Sequence, residues 1–90
     1  MTTEVHRRDH DYEITVDGRH AGLAAVQERG GAVVFTHTEV DDAYEGQGIG
    51  SQLARAALDD VREKGLKVVP LCPFIRAWID KHPDYEDLVQ

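Results

Sequence analysis

Apolar and polar residues alternate through Tyr12, Ile14 and Val16 in "DYEITVDGRHAGLAAVQ", the period of a strand with one buried face. The alternation breaks at Asp17-Gly18, a pair that favours a tight hairpin, so a return strand is expected from about His20 to Gln27. Gly30-Gly31 marks a second turn, and "AVVFTHTEV" beyond it is rich in β-branched and aromatic residues. These segments predict a three-stranded antiparallel meander over residues 12–40. Residues 1–10 are polar and form either a terminal arm or a first strand.

The period changes over "GSQLARAALDDVREKG". Leu53, Ala57 and Val61 recur at helical spacing, Ile49 lies a turn earlier, and Ala54 and Leu58 widen the stripe. Arg55, Asp59, Arg62 and Glu63 fall on the solvated side. Lys64 and then Gly65 end the helix. "LKVVPLC" is a short apolar run suited to a buried strand, parallel to the strand ending at Val40 because a helix joins the two. Pro73 suits the first turn of a second helix, "PFIRAWIDKH", where its missing N–H costs nothing. Phe74, Ala77, Trp78 and Lys81 share one face of it, and Phe74 and Trp78 are expected in the core. His82-Pro83 ends this helix, and the tail "DYEDLVQ" forms either one more turn or an extended segment. The order β-β-β-α-β-α defines a mixed α/β (α+β) chain, a meander followed by a βαβα unit.

Ninety residues suit a single domain, and a 41% hydrophobic share suffices for its core. The net charge of −7 argues against nucleic acid, whose phosphates need clustered Lys and Arg. It suits a cationic partner such as an amine, or simple solubility. Apolar runs are too short for a membrane-spanning helix, and "MTTEVHRRDH" lacks the apolar stretch of a secretory signal. Cys72 stands alone and cannot form an internal disulfide, so a reducing cytoplasm is expected. His6 and His10 have metal-ligand spacing only on a helix, which this stretch does not resemble, so no metal is expected.

"YEGQGIGSQL" places Gly46, Gly48 and Gly50 at alternate positions between a strand and a helix N-terminus. Unsatisfied N–H groups and the helix dipole make such a junction an anion site. No lysine precedes Ser51 as a Walker A loop requires, and G-x-G-x-G is not the Rossmann spacing. The stretch resembles motif A of the GCN5-related N-acetyltransferases, Gln/Arg-x-x-Gly-x-Gly/Ala, with Glu45 standing where that family has Gln or Arg. The run from "FTHTEV" to "PLCPF", with "HPDY", resembles the family's short stand-alone members, the YjdJ-like or NATD1-like group. The resemblance implies a minimal form of that fold in which two parallel strands splay apart. It implies acetyl-CoA as cofactor, with its pyrophosphate held by Gln47, Gly48, Ile49, Gly50 and Ser51 and its pantetheine arm paired along Thr38 to Val40. Glu45 is expected to point away from the phosphates.

The resemblance implies transfer of acetyl to a primary amine of a small molecule or a protein. Many members use a tyrosine in the second helix as acid, and Ile79 occupies the matching position here; Tyr85 lies further along. Cys72, beside a helix N-terminus, is the candidate thiol, as acetyl acceptor, as acid for the departing CoA sulfur, or merely as a core residue. His37 has the intrinsic pKa of a base, or is a hydrogen-bonded strand histidine. Glu39 faces away from Thr38 and joins the side of His37 through twist or a bulge, orienting an amine or a water, or remaining solvated. Tyr44 covers the cofactor or caps the strand. The rival expectation is a non-catalytic acetyl-CoA-binding or protein-interaction module. Nothing in the sequence sets an oligomeric state.

Overall fold

The computed structural model describes residues 2–90. Strands β1 (Thr3–Arg7), β2 (Asp11–Val16), β3 (Arg19–Arg29) and β4 (Ala32–Val40) form an antiparallel meander, and β5 (Lys67–Pro70) adds parallel to β4. The sheet order is β1-β2-β3-β4-β5. The meander therefore has four strands where the apolar pattern predicts three. β1 carries little apolar pattern of its own, since Val5, paired with Ile14, is its one apolar residue. The two hairpins turn where glycine predicts: Asp17 and Gly18 have φ of 49° and 82°, and Gly30 and Gly31 have 54° and 83°. Two consecutive left-handed residues match the twist of the flanking strands.

Helix α1 (Ile49–Glu63) buries Ile49, Leu53, Ala54, Ala57, Leu58 and Val61, the predicted stripe. It ends in a Schellman motif, with Gly65 N–H donating to Arg62 O and Leu66 N–H to Val61 O. Helix α2 (Pro73–Asp80) buries Ile75, Trp78 and Ile79. Phe74 is not a core residue: it is 42% exposed, and Ala77 and Lys81 on its side are exposed too. Both helices share one core with Tyr12, Ile14, Val26, Val33 and Phe35, on one face of the sheet. The other face, with Leu23, Ala25, Val34 and Val69 half-buried, carries no helix among the described residues. The tail does both things expected of it as alternatives. A 3₁₀ segment (Pro83–Leu88) is followed by Val89, which bridges Val68, and Gln90 N–H donates to Val68 O at 3.0 Å. Among the described residues no helix is long and apolar enough to cross a membrane.

Two local events end the β4–β5 ladder. Pro70, opposite Phe35, has no N–H to continue it, and the chain folds tightly as Leu71 N–H donates to Val69 O. The strand expected to run to Cys72 thus stops at Pro70, and Cys72 is the N-cap residue of α2. On β4 the register with β3 slips between Val26–Phe35 and Ala25–His37, leaving Thr36 as the extra residue of a bulge. The last tie across the gap is Cys72 N–H to Phe35 O at 2.8 Å. Beyond it the parallel strands part.

Candidate active site

The bulge decides which side chains face the opened side. Unbroken alternation from buried Phe35 would turn His37 and Glu39 inward. The extra residue reverses this: Thr38 and Val40 are half-buried, whereas His37 and Glu39 are exposed and pair with each other at 3.3 Å. Asp41 N–H donates back to Ala21 O at 2.8 Å, so alternation turns the N–H and C=O of Thr38 and Val40 away from β3, toward the gap. Thr38 Oγ1 lies 3.2 Å from Cys72 Sγ, and the thiol is 3% exposed. The structure brings Thr38, Val40 and Cys72 to one side; His37 and Glu39 occupy the other.

A cleft of about 410 Å³ opens beside Val40, bordered by Tyr44, the glycine loop, Phe74, Trp78, Lys81 and His82. Gly46 and Gly48 have φ of 78° and 75°, conformations that L side chains resist, and Gly48 is the N-cap of α1. The third glycine has a different reason. A Cβ on Gly50 would lie 3.0 Å from Phe74 Cζ, so the bare backbone lets the ring close over the helix start. The first helical bond is Gln52 N–H to Gly48 O, which leaves the amides of Ile49, Gly50 and Ser51 without an intrahelical acceptor. Ser51 Oγ accepts the Trp78 indole N–H at 2.9 Å, so its own proton is free to point elsewhere. Gln47 is exposed, its amide 3.4 Å from Ala43 O. Glu45 is exposed and borders the cleft. Tyr44 borders it too and packs on the core.

Neither substitute for the helical tyrosine is free. Ile79 is wholly buried, and Tyr85 is 5% exposed, its hydroxyl donating to Asp59 and accepting from Arg55. Burial first, then the bond to Asp59, raises the Tyr85 phenol above its ordinary pKa. Restoring the family's residue by Ile79→Tyr would force a phenol into filled space. Urea denaturation is expected to show a loss of about 1–3 kcal/mol. Undiminished stability would mean that the core has room there.

These features, a splayed β4–β5 pair beside a glycine-led helix, are those of an acetyltransferase fold. A sequence profile of the GCN5-related N-acetyl-transferases matches residues 11–88, and the chain belongs to that family. Its members transfer acetyl groups, generally from acetyl-CoA, to amine acceptors such as proteins or small molecules. Among relatives, human protein NATD1 is 38% identical over 85 residues, covering 92% of this chain and 75% of the relative. The zebrafish (Danio rerio) NATD1 is 33% identical over 89 residues, covering 94% and 81%. The fold is also that of a GCN5-like protein from Staphylococcus aureus, with a TM-score of 0.75 and 24% identity over 97% of this chain and 87% of that one. The ribosomal-protein-S18-alanine N-acetyltransferase of Escherichia coli matches with a TM-score of 0.63 and 21% identity, covering 72% and 43%. The expected minimal fold with splayed strands is the one observed.

Proposed function

We propose that this chain is an acetyl-CoA-dependent N-acetyltransferase acting on a primary amine of a small molecule or a protein. The observation that carries this reading is the nearness of three features to the splayed end of β4, of which the first borders the cleft beside Val40. These are the free α1 amides, the unpaired backbone of Thr38 and Val40, and the Cys72 thiol at the head of the splay. Bound acetyl-CoA supplies a thioester carbonyl open to attack by a neutral amine. The amides of Ile49, Gly50 and Ser51 and the Ser51 hydroxyl bind its phosphates, and the β4 backbone binds its arm as an added strand would. Cys72, hydrogen-bonded to Thr38, holds a proton at Sγ for the departing sulfur or takes the acetyl group itself. His37 and Glu39, on the helix-free face, meet the acceptor. A reducing, cytoplasmic setting suits the free thiol.

Incubation with acetyl-CoA and a panel of amines tests this by release of free CoA. Cys72→Ala is expected to reduce turnover by on the order of a hundredfold, the usual weight of a positioned proton donor. Retention of full turnover would take Cys72 out of the mechanism. A mass gain of one acetyl group mapped to Cys72 would mark it as carrier. The buried Ile79 and the tied Tyr85 hydroxyl favour a second reading, a non-catalytic acetyl-CoA-binding module. Binding without CoA release, with every amine, would select it.

A further inference from the structure

Glu45, where the motif has a polar or cationic residue, is an acidic residue bordering the cleft and brings it no positive charge. The opposite wall offers a replacement. Lys81 is the C-cap of α2, its N–H donating to Ala77 O and Trp78 O, and His82 follows it. The end of α2 is pinned onto the start of α1. Trp78 donates its indole N–H to Ser51, and Phe74 closes on Gly50. His82 stacks on Trp78, ring centroids 3.8 Å apart and planes 13° off parallel, with its Nδ1 2.7 Å from Trp78 O. That contact places the proton on Nδ1 and leaves Nε2 uncommitted. Arg8, Arg62, Lys64 and Arg76 each pair with a carboxylate. Lys81 has no such partner among the described residues, yet borders the same cleft as the α1 amides. A solvated lysine at a helix C-terminus is the plain alternative.

We propose that Lys81, held in place by His82 beside it, is the cation in the wall of this cleft and binds the cofactor's diphosphate opposite the amides of Ile49 to Ser51. It thereby supplies the charge that Glu45 does not. This rests on the acetyl-CoA reading above. Trp78, the protein's single tryptophan, forms part of the wall, so its fluorescence reports binding without any turnover.

The test titrates wild type, Lys81→Ala, Lys81→Arg and His82→Gln with CoA and with dephospho-CoA, by Trp78 fluorescence and by calorimetry. Lys81→Ala is expected to weaken both ligands by about tenfold, the weight of one charge-assisted hydrogen bond at a partly open site. Lys81→Arg should restore most of that loss, and His82→Gln should weaken both ligands about threefold. Lys81 is exposed, so its variants keep the wild-type melting temperature. Wild-type affinity in Lys81→Ala would overturn the inference and leave the cofactor reading standing. Loss for CoA alone, with dephospho-CoA unaffected, would move the charge to the 3′-phosphate and overturn the diphosphate assignment. No binding by wild type at millimolar CoA would overturn the cofactor reading and this inference with it.

Discussion

Gly48→Val is expected to weaken CoA binding by on the order of a hundredfold and to destabilise the fold by about 1–3 kcal/mol. At φ 75° Gly48 is the left-handed residue from which α1 starts, and a β-branched side chain does not tolerate that region. Nothing lies within 4 Å of a Cβ built there, so the effect comes from the backbone and not from crowding. Relaxing the strain turns the peptide planes at the helix entrance, and the free amides of Ile49, Gly50 and Ser51 no longer converge. Calorimetric titration with CoA and urea denaturation measure the two parts separately. A variant with wild-type affinity would move the phosphate cradle off this loop.

Phe35→Ala carries the second large effect, an expected loss of about 3–5 kcal/mol in urea denaturation. The ring is fully buried and lies parallel to Tyr12, with centroids 6.1 Å apart and planes within 6°. Marginal domains have only about 5–15 kcal/mol in total, so this variant approaches the threshold of folding. The damage also reaches the site. The Phe35 carbonyl holds the Cys72 N–H at 2.8 Å, and a cavity beneath it loosens the peptide that positions the thiol. A loss below about 1 kcal/mol would show that the core is not centred on this ring.

What was legible in the sequence was what short-range chemistry dictates. Asp17-Gly18 and Gly30-Gly31 announced their turns because few other residues adopt two consecutive positive φ angles. The stripe from Ile49 to Val61 announced α1, and Gly65 its end, because both are properties of a single helix. The glycine loop was readable as the lead into a helix with free first-turn amides for the same reason. The features that escaped depend on partners distant in sequence. β1 exists because Thr3–Arg7 finds β2, not because its own pattern alternates strongly. Phe74 is drawn from the core by the bare surface of Gly50, and the wall formed by Lys81 and His82 depends on Trp78 meeting Ser51. The end of β5 at Pro70 escaped too, because only the pairing with Phe35 shows that the missing N–H opens a gap.

The extra residue at Thr36 also bears on how roles are transferred between relatives. An alignment without gaps, counted forward from the buried start of β4, hands an inward-facing role to His37. Counted backward from the glycine loop, the same role falls on Thr38, which is the residue that meets Cys72. Relatives that lack the bulge, or carry it one position away, present the opposite set of side chains to the groove at identical alignment columns. Equivalence along this strand is therefore set by distance from the loop, and a residue shared at position 37 need not share a task.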